Sequence, residues 1–133
     1  MTAADDVTDL VPFAHVADVD RSVAFYELLG FEMLHEFLPE ERRVWAFLER
    51  GDARLMVAEA DGPVDPGAQA VLFYLYTRDL DGLRERLLER GVAAGSITTG
   101  GPGPDRQMAV DDPDGYRLMI AEIEGERVGV LPG

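Results

Sequence analysis

Two histidines, His15 and His35, are the side chains best suited to metal binding or proton transfer near neutral pH. A two-histidine, one-carboxylate iron site would need both imidazoles to converge on one ion. The chain contains no cysteine, so disulfides, thiolate nucleophiles and thiolate metal sites are excluded together. The chemistry of this chain therefore depends first on where the two imidazoles lie.

Two short motifs resemble phosphate-binding or calcium-binding loops but lack residues that such loops need. The run Gly100-Gly-Pro-Gly-Pro104 lacks the lysine and the helix start of a phosphate-binding loop, so we predict a hairpin turn. Asp112 and Asp114 match part of a calcium-binding loop, but its first and twelfth positions would be Val110 and Ala121, which offer no side-chain ligand. Calcium is therefore excluded from this segment.

The composition favours a single small globular domain and argues against a nucleic-acid partner. The 133 residues are 47% hydrophobic, and a formal charge of −14 argues against nucleic acid, whose phosphates require a basic surface. The same charge would attract cationic molecules, or it merely keeps the surface hydrated. No apolar run approaches the roughly 18 residues of a membrane span, and the N-terminus lacks the features of a signal peptide. We therefore expect a cytoplasmic protein without a membrane partner.

An internal repeat organises the chain. The hexapeptide Arg54-Leu-Met-Val-Ala-Glu59 returns as Arg117-Leu-Met-Ile-Ala-Glu122, 63 residues later. Asp18-Val-Asp20 returns as Asp79-Leu-Asp81 at an offset of 61. Such self-similarity predicts two copies of one structural unit, with the small difference in offset absorbed by a loop.

Each copy is predicted to contain a strand, a helix and three further strands. Aspartates precede both helices as caps, and Gly30 and Gly91 end them. The turn Asp112-Pro-Asp-Gly115 fits type I, with proline second and glycine fourth. The predicted helices are Asp20–Leu29 and Leu80–Arg90, and the predicted strands are 11–16, 31–38, 43–49, 54–59, 92–98, 106–110 and 116–122. The first strand of the second copy would contain Leu72, Tyr74 and Tyr76. The two modules would span 9–60 and 68–123, and the tail 124–133 would pack on the body or on a partner subunit.

Two phrases and the doubled module resemble the vicinal oxygen chelate superfamily of glyoxalase I, extradiol dioxygenases and bleomycin-resistance proteins. The phrases are Val19-Asp-Arg-Ser-Val-Ala-Phe-Tyr26 with Leu29-Gly-Phe31, and Asp112-Pro-Asp-Gly-Tyr116. The resemblance covers about residues 9–123, and the segment 72–81 is most similar to the drug-binding resistance branch. It implies an α+β fold in which two βαβββ modules form a cup-shaped, incompletely closed eight-stranded sheet with helices outside. It also implies a homodimer.

The resemblance assigns no metal site. Metal enzymes of the superfamily place four ligands on the first and last strands of each module, and these positions fall on Val11, Met56, Leu72 and Met119. Hard and borderline divalent ions need oxygen or nitrogen donors, which none of these side chains offers. The glutamates that end the repeated hexapeptides, Glu59 and Glu122, are interpreted as surface charges at strand ends. We therefore expect no metal and no other cofactor.

In the implied fold the two histidines lie on strands at opposite edges of one sheet, so they would not converge. His35 is interpreted as a partly buried strand residue without a function. His15 shares strand parity with Phe13 and would point into the cup, where contact with a ligand and a satisfied core histidine both remain open.

An apolar and aromatic lining would take the place of the metal. Rings with polar tips and adaptable thioethers suit a planar or hydrophobic guest, although plain core packing would use the same residues. Which side of the 43–49 strand turns inward is not decided by its sequence. The candidate ligand-binding residues are Phe13, His15, Trp45, Phe47, Met56, Leu72, Tyr74, Tyr76 and Met119.

Three functions remain in competition at this stage. The first is metal-independent binding of a small aromatic or hydrophobic molecule, cationic in keeping with the acidic charge, as in antibiotic resistance by sequestration. The second is a glyoxalase-like lyase, isomerase or other small-molecule enzyme with His15 as proton shuttle. The third is an interaction domain whose cup is simply core.

Overall fold

The computed structural model describes residues 7, 9–99 and 106–123, and the chain divides into two units at residues 64 and 65. The described part of each unit contains one α-helix and one sheet, as the repeat predicted. The elements of the first unit are β1 (Phe13–Val16), α1 (Val19–Leu28), β2 (Glu32–Phe37), β3 (Trp45–Arg50) and β4 (Ala53–Glu59). Those of the second are β5 (Leu72–Thr77), α2 (Leu80–Glu89), β6 (Gln107–Asp111) and β7 (Arg117–Glu122). The mixed α+β class with incompletely closed sheets is confirmed.

The first sheet has the strand order β1-β4-β3-β2, in which β1 runs parallel to β4 and the remaining pairs are antiparallel. The helix begins because the side chain of Asp18 accepts a hydrogen bond from the Arg21 amide at 3.2 Å. It ends before Gly30, whose φ of +96° is available to glycine at little cost.

Helix α1 covers one side of this sheet. Its residues Val19, Val23 and Tyr26 are buried, as are Leu48 and Val57 on the central strands. We call this side of a sheet its helix face and the opposite side its open face. Side chains alternate along a strand, so Trp45 and Phe47, which flank the buried Ala46, belong to the open face.

The second sheet has the order β5-β7-β6 and follows the same design. Its helix face is formed by Leu118 and Ile120 of β7, which are almost fully buried. Helix α2 buries a row of three leucines, Leu80, Leu83 and Leu87. The predicted turn before β7 is confirmed, because the Gly115 amide donates to the Asp112 carbonyl at 3.0 Å.

The predicted strand at 92–98 is wrong, so the described residues form seven strands rather than eight. Only Thr98 makes a bridge to β6, opposite Gln107. The Gly95 amide donates to the Ala109 carbonyl at 2.9 Å, but the Gly95 carbonyl accepts from the Arg84 guanidinium at 2.8 Å. The Gly95 carbonyl thus accepts from a side chain of α2, and the segment does not form a regular ladder with β6.

Smaller corrections concern the ends of elements. The first strand begins at Phe13 rather than Val11, and both helices end one residue earlier than predicted. The predicted hairpin at 100–104 and the tail 124–133 lie outside the described residues.

Candidate functional site

Two rows of side chains cross the open face of the first sheet, and every strand contributes to each row. One row consists of the directly opposed residues Phe13, Met56, Phe47 and His35. The other consists of His15, Ala58, Trp45 and Phe37. All of them except Ala58 carry a ring or a thioether. We call these eight residues the aromatic platform.

The platform is exposed rather than sealed as a core. Phe13 is 51% exposed and Phe37 is 60% exposed, whereas the helix face of the same sheet is buried. Neighbouring rings meet edge to face, with centroids 5.3 Å apart for Phe13 and His15 and 5.9 Å apart for His35 and Phe47. The rings therefore support one another and still present surface to solvent within this unit.

A β-bulge at Leu34 brings His35 and Phe37 onto the platform. Met33 lies opposite Leu48 of the helix face, but His35, only two residues later, lies opposite Phe47 of the open face. Strict alternation would have kept Met33 and His35 on the same side. Strict alternation therefore predicts neither residue on this face, because nothing in 31–37 marks a bulge. His35 is exposed, so its interpretation as a partly buried residue is wrong.

Charged side chains border the platform on one side. Arg54, in the row next to Met56, pairs with Glu49 at 3.2 Å and with Asp9 at 2.6 Å. Glu32 of β2 lies opposite Glu49 in the same row. Three carboxylates and one guanidinium thus give this border a net negative charge.

The open face of the second sheet is more polar. Tyr74 lies opposite Met119, and Tyr76 lies opposite Ala121, which in turn lies opposite Gln107. The tyrosine rings stack with centroids 5.9 Å apart and an interplanar angle of 29°. The Tyr74 hydroxyl donates a hydrogen bond to Oε1 of Gln107 at 2.6 Å. We call Tyr74 and Tyr76 the tyrosine pair.

The candidate residues thus group by unit. The platform contains Phe13, His15, Trp45, Phe47 and Met56, and the second open face contains Tyr74, Tyr76 and Met119. Leu72 is 49% exposed and lies one row away from Met119, opposite Arg117, which pairs with Asp111 at 3.0 Å. Gln107 is a further residue that the sequence analysis did not single out.

The family model described as the glyoxalase/bleomycin resistance protein/dioxygenase superfamily matches residues 11–120. The chain belongs to this superfamily. The resemblance inferred from the helix phrase, the turn phrase and the repeat is therefore confirmed. No curated protein matches the chain.

Solved structures of this superfamily include antibiotic-binding proteins similar to this chain. A bleomycin-binding protein in complex with bleomycin is 25% identical, with 89% of this chain and 100% of that chain covered and a TM-score of 0.71. A bleomycin resistance determinant encoded on transposon Tn5 is 26% identical, with coverage of 90% and 100% and a TM-score of 0.71. TnmS3, an antibiotic-binding protein from Streptomyces sp. CB03234, is 26% identical, with coverage of 90% and 98% and a TM-score of 0.71.

The four positions to which the resemblance assigns metal ligands carry side chains that do not suit a divalent ion. They carry aliphatic or thioether side chains at Val11, Met56, Leu72 and Met119, which are poor partners for such ions. Within residues 7, 9–99 and 106–123, no group of three or more histidine, aspartate or glutamate side chains is placed to hold a metal ion. His15 and His35 lie on β1 and β2, the two outermost strands of the first sheet.

The two hexapeptide glutamates bind arginines instead. Glu59 pairs with Arg42. Glu122 pairs with Arg106 at 3.0 Å and also accepts the Leu80 amide at 3.2 Å, which ties β7 to the start of α2. These contacts assign both glutamates to the structure of their units.

Proposed function

We propose that this protein binds a small aromatic or hydrophobic molecule, preferably a cationic one, without a metal ion, and so sequesters an antibiotic-like compound. The single observation that carries the proposal is the aromatic platform, which leaves Phe13 51% exposed and Phe37 60% exposed beside a fully packed helix face. Exposed apolar side chains grouped on one surface are typical of interaction sites.

A planar guest would gain free energy from two sources on this surface. Covering about 100 Å² of apolar surface contributes about 2.5 kcal/mol. Ring-to-ring contacts of suitable geometry add about 0.5–1.5 kcal/mol each. Met56, between Phe13 and Phe47, supplies a polarisable thioether that adapts to the shape of a guest.

The preference for a cation rests on charge. The chain has a formal charge of −14, and the border of the platform at Asp9, Glu32, Glu49 and Arg54 is itself net negative. A cation that lies over Trp45 or a phenylalanine ring is attracted by the π electrons, by about 0.5–1 kcal/mol at an exposed site. Binding should therefore weaken as salt is added.

The similar structures support this proposal, since one holds bleomycin and another is an antibiotic-binding protein. Metal independence is supported by the thioether and aliphatic side chains at the superfamily's metal-binding positions. We further propose that the protein acts in the cytoplasm as a homodimer, as the superfamily resemblance implies. No helix among the described residues has the length and apolar character needed to cross a membrane.

Isothermal titration calorimetry tests the proposal. Bleomycin and the planar cation N-methylacridinium are titrated into the protein in excess EDTA. We expect saturable binding that Phe13→Ala weakens by about tenfold, because the variant removes an exposed ring of the platform. Leu88→Ala is the matched control, since Leu88 is 43% exposed on α2. Absence of binding by both compounds, or equal losses in both variants, would contradict the proposal.

A further inference from the structure

Tyr74 and Gln107 are joined across an intervening strand. Tyr74 belongs to β5 and Gln107 to β6, and β7 lies between them. Side chains usually stand roughly perpendicular to a sheet. The 2.6 Å hydrogen bond from the Tyr74 hydroxyl to Gln107 therefore requires the phenol to lean across β7. Ala109 and Ala121, which carry only a methyl group on this face, leave room for the ring.

The tyrosine pair leaves aromatic surface uncovered on the open face. The ring of Tyr76 is close to parallel with that of Tyr74, at 29° and a centroid distance of 5.9 Å. Tyr74 is 43% exposed, so the ring is open to solvent within its unit. A planar molecule that stacks on these rings would have its edge near the carboxamide of Gln107.

The carboxamide has a hydrogen-bonding group to spare. Its Oε1 accepts the Tyr74 proton, which leaves two N–H donors on Nε2. No acceptor for Nε2 lies within the part of the chain that the structure describes, and no buried side-chain nitrogen or oxygen there lacks a partner. Nε2 is therefore a donor that is accessible to solvent. The hydrogen bond between Oε1 and the Tyr74 hydroxyl fixes the position of the carboxamide.

We propose that Gln107 is a specificity-determining residue, whose Nε2 donates a hydrogen bond to an acceptor, such as a ring carbonyl, on the edge of a planar guest stacked on the tyrosine pair. This inference rests on the proposed binding function. It adds to that function a class of ligand: a flat ring system with an acceptor at its rim.

The first sheet offers a different group at the corresponding position. Trp45 lies opposite Ala58 as Gln107 lies opposite Ala121. A ring occupies that position on the aromatic platform, and a carboxamide occupies it beside the tyrosine pair. Selection for an acceptor is thus a property of the second open face.

Two probes of nearly equal shape test the inference by calorimetry. N-methylacridone carries a ring carbonyl, and N-methylacridinium has the same three fused rings without an acceptor. Gln107→Glu keeps an acceptor for the Tyr74 hydroxyl but removes both donors. We expect its Kd for N-methylacridone to rise by about tenfold, as for the loss of one good hydrogen bond, with no weakening for N-methylacridinium. Gln107→Leu should weaken the binding of N-methylacridone by at least as much.

The outcomes separate the inference from the function on which it rests. If Gln107→Glu binds N-methylacridone within twofold of the wild type, the role of Gln107 is overturned. If neither probe binds the wild type, the proposed function itself fails and the inference falls with it. The tyrosine doublet in the Raman spectrum reports phenol hydrogen bonding without any ligand. It should change in Gln107→Leu, where the Tyr74 hydroxyl loses its acceptor, and an unchanged doublet in that variant would contradict the placement of Tyr74.

Discussion

Arg106 holds Asp81 through two hydrogen bonds of 3.0 Å, one from each terminal nitrogen of its guanidinium. This contact joins the segment before β6 to the first turn of α2. Arg43, 63 residues earlier, pairs through one terminal nitrogen with Asp20 in the first turn of α1, and its other two nitrogens bind Glu36. The repeat therefore preserves a helix-to-sheet ion pair as well as the pattern of strands.

The first prediction concerns acid stability. The hydrogen bond from Arg106 lowers the pKa of Asp81 below its ordinary value. A carboxyl whose pKa is lowered on folding stabilises the native state above its unfolded-state pKa of about 3.9, and this contribution is lost as the pH falls through the folded-state pKa.

Asp81→Asn should therefore lower the free energy of unfolding at pH 7 and flatten its pH dependence below about pH 4. Asp52→Asn, in the turn between β3 and β4, is the control and should leave the curve unchanged. Urea denaturation at a series of pH values measures both. An Asp81→Asn curve that superimposes on the wild type would refute the prediction.

The second prediction concerns the turn before β7. Gly115 has a φ of +85°, and a Cβ atom there would lie 2.5 Å from Cα of Pro66. Gly91 has a similar φ of +81° but open space around it. Alanine at either position costs about 1 kcal/mol of backbone strain. At Gly115 it also forces two backbone segments apart, at a further cost of about 1–3 kcal/mol. In chemical denaturation, Gly115→Ala should have a lower free energy of unfolding than Gly91→Ala. Equal losses of stability in the two variants would contradict the packing of Pro66 against Gly115.

The third prediction concerns the hairpin between β2 and β3. Glu40 and Glu41 adopt φ values of 54° and 65°, a conformation that favours glycine. Glu41→Gly should relieve strain that exceeds the added entropy of the unfolded chain, and so raise the free energy of unfolding by about 0.5–1 kcal/mol. The comparison is Glu27→Gly in α1, which should lower it by about 1 kcal/mol. Both changes can be read from urea midpoints, and a less stable Glu41→Gly protein would argue against this turn.

The fourth prediction separates binding from catalysis at His15. Its imidazole lies on the aromatic platform with its ring centroid 5.3 Å from that of Phe13. His15→Ala should weaken bleomycin binding by a few fold, as expected for the loss of one contact. Chromatography of the guest after incubation with wild-type protein should show no chemical change. A product formed by the wild type and reduced by a hundredfold or more in His15→Ala would favour the enzyme hypothesis.

Sequence patterns were sufficient for most of the fold because they act locally or repeat. The aspartate caps at Asp18 and Asp79 and the helix-ending glycines Gly30 and Gly91 lie as predicted. The strand predicted at 92–98 is wrong, and its backbone instead contacts the preceding helix, where Arg84 donates to the Gly95 carbonyl. A contact between distant segments leaves no periodic signal in either one.

The candidate site was predicted in part for the same reason. Alternation from Phe13 to His15 and from Tyr74 to Tyr76 placed these side chains on the open faces. His35 required the bulge at Leu34. Gln107 becomes a candidate only through its hydrogen bond with Tyr74, which crosses β7. Both features depend on register between strands, which a single sequence does not specify.

The fluorescence of Trp45 provides the most direct test of the account. It is the only tryptophan of the chain and lies on the aromatic platform opposite Ala58. Titration with N-methylacridinium in excess EDTA should quench its emission saturably, with a midpoint equal to the calorimetric Kd, whereas free N-acetyltryptophanamide should show only linear collisional quenching. Calorimetric binding that leaves the Trp45 emission unchanged, or quenching that never saturates, would contradict the claim that the platform binds the guest.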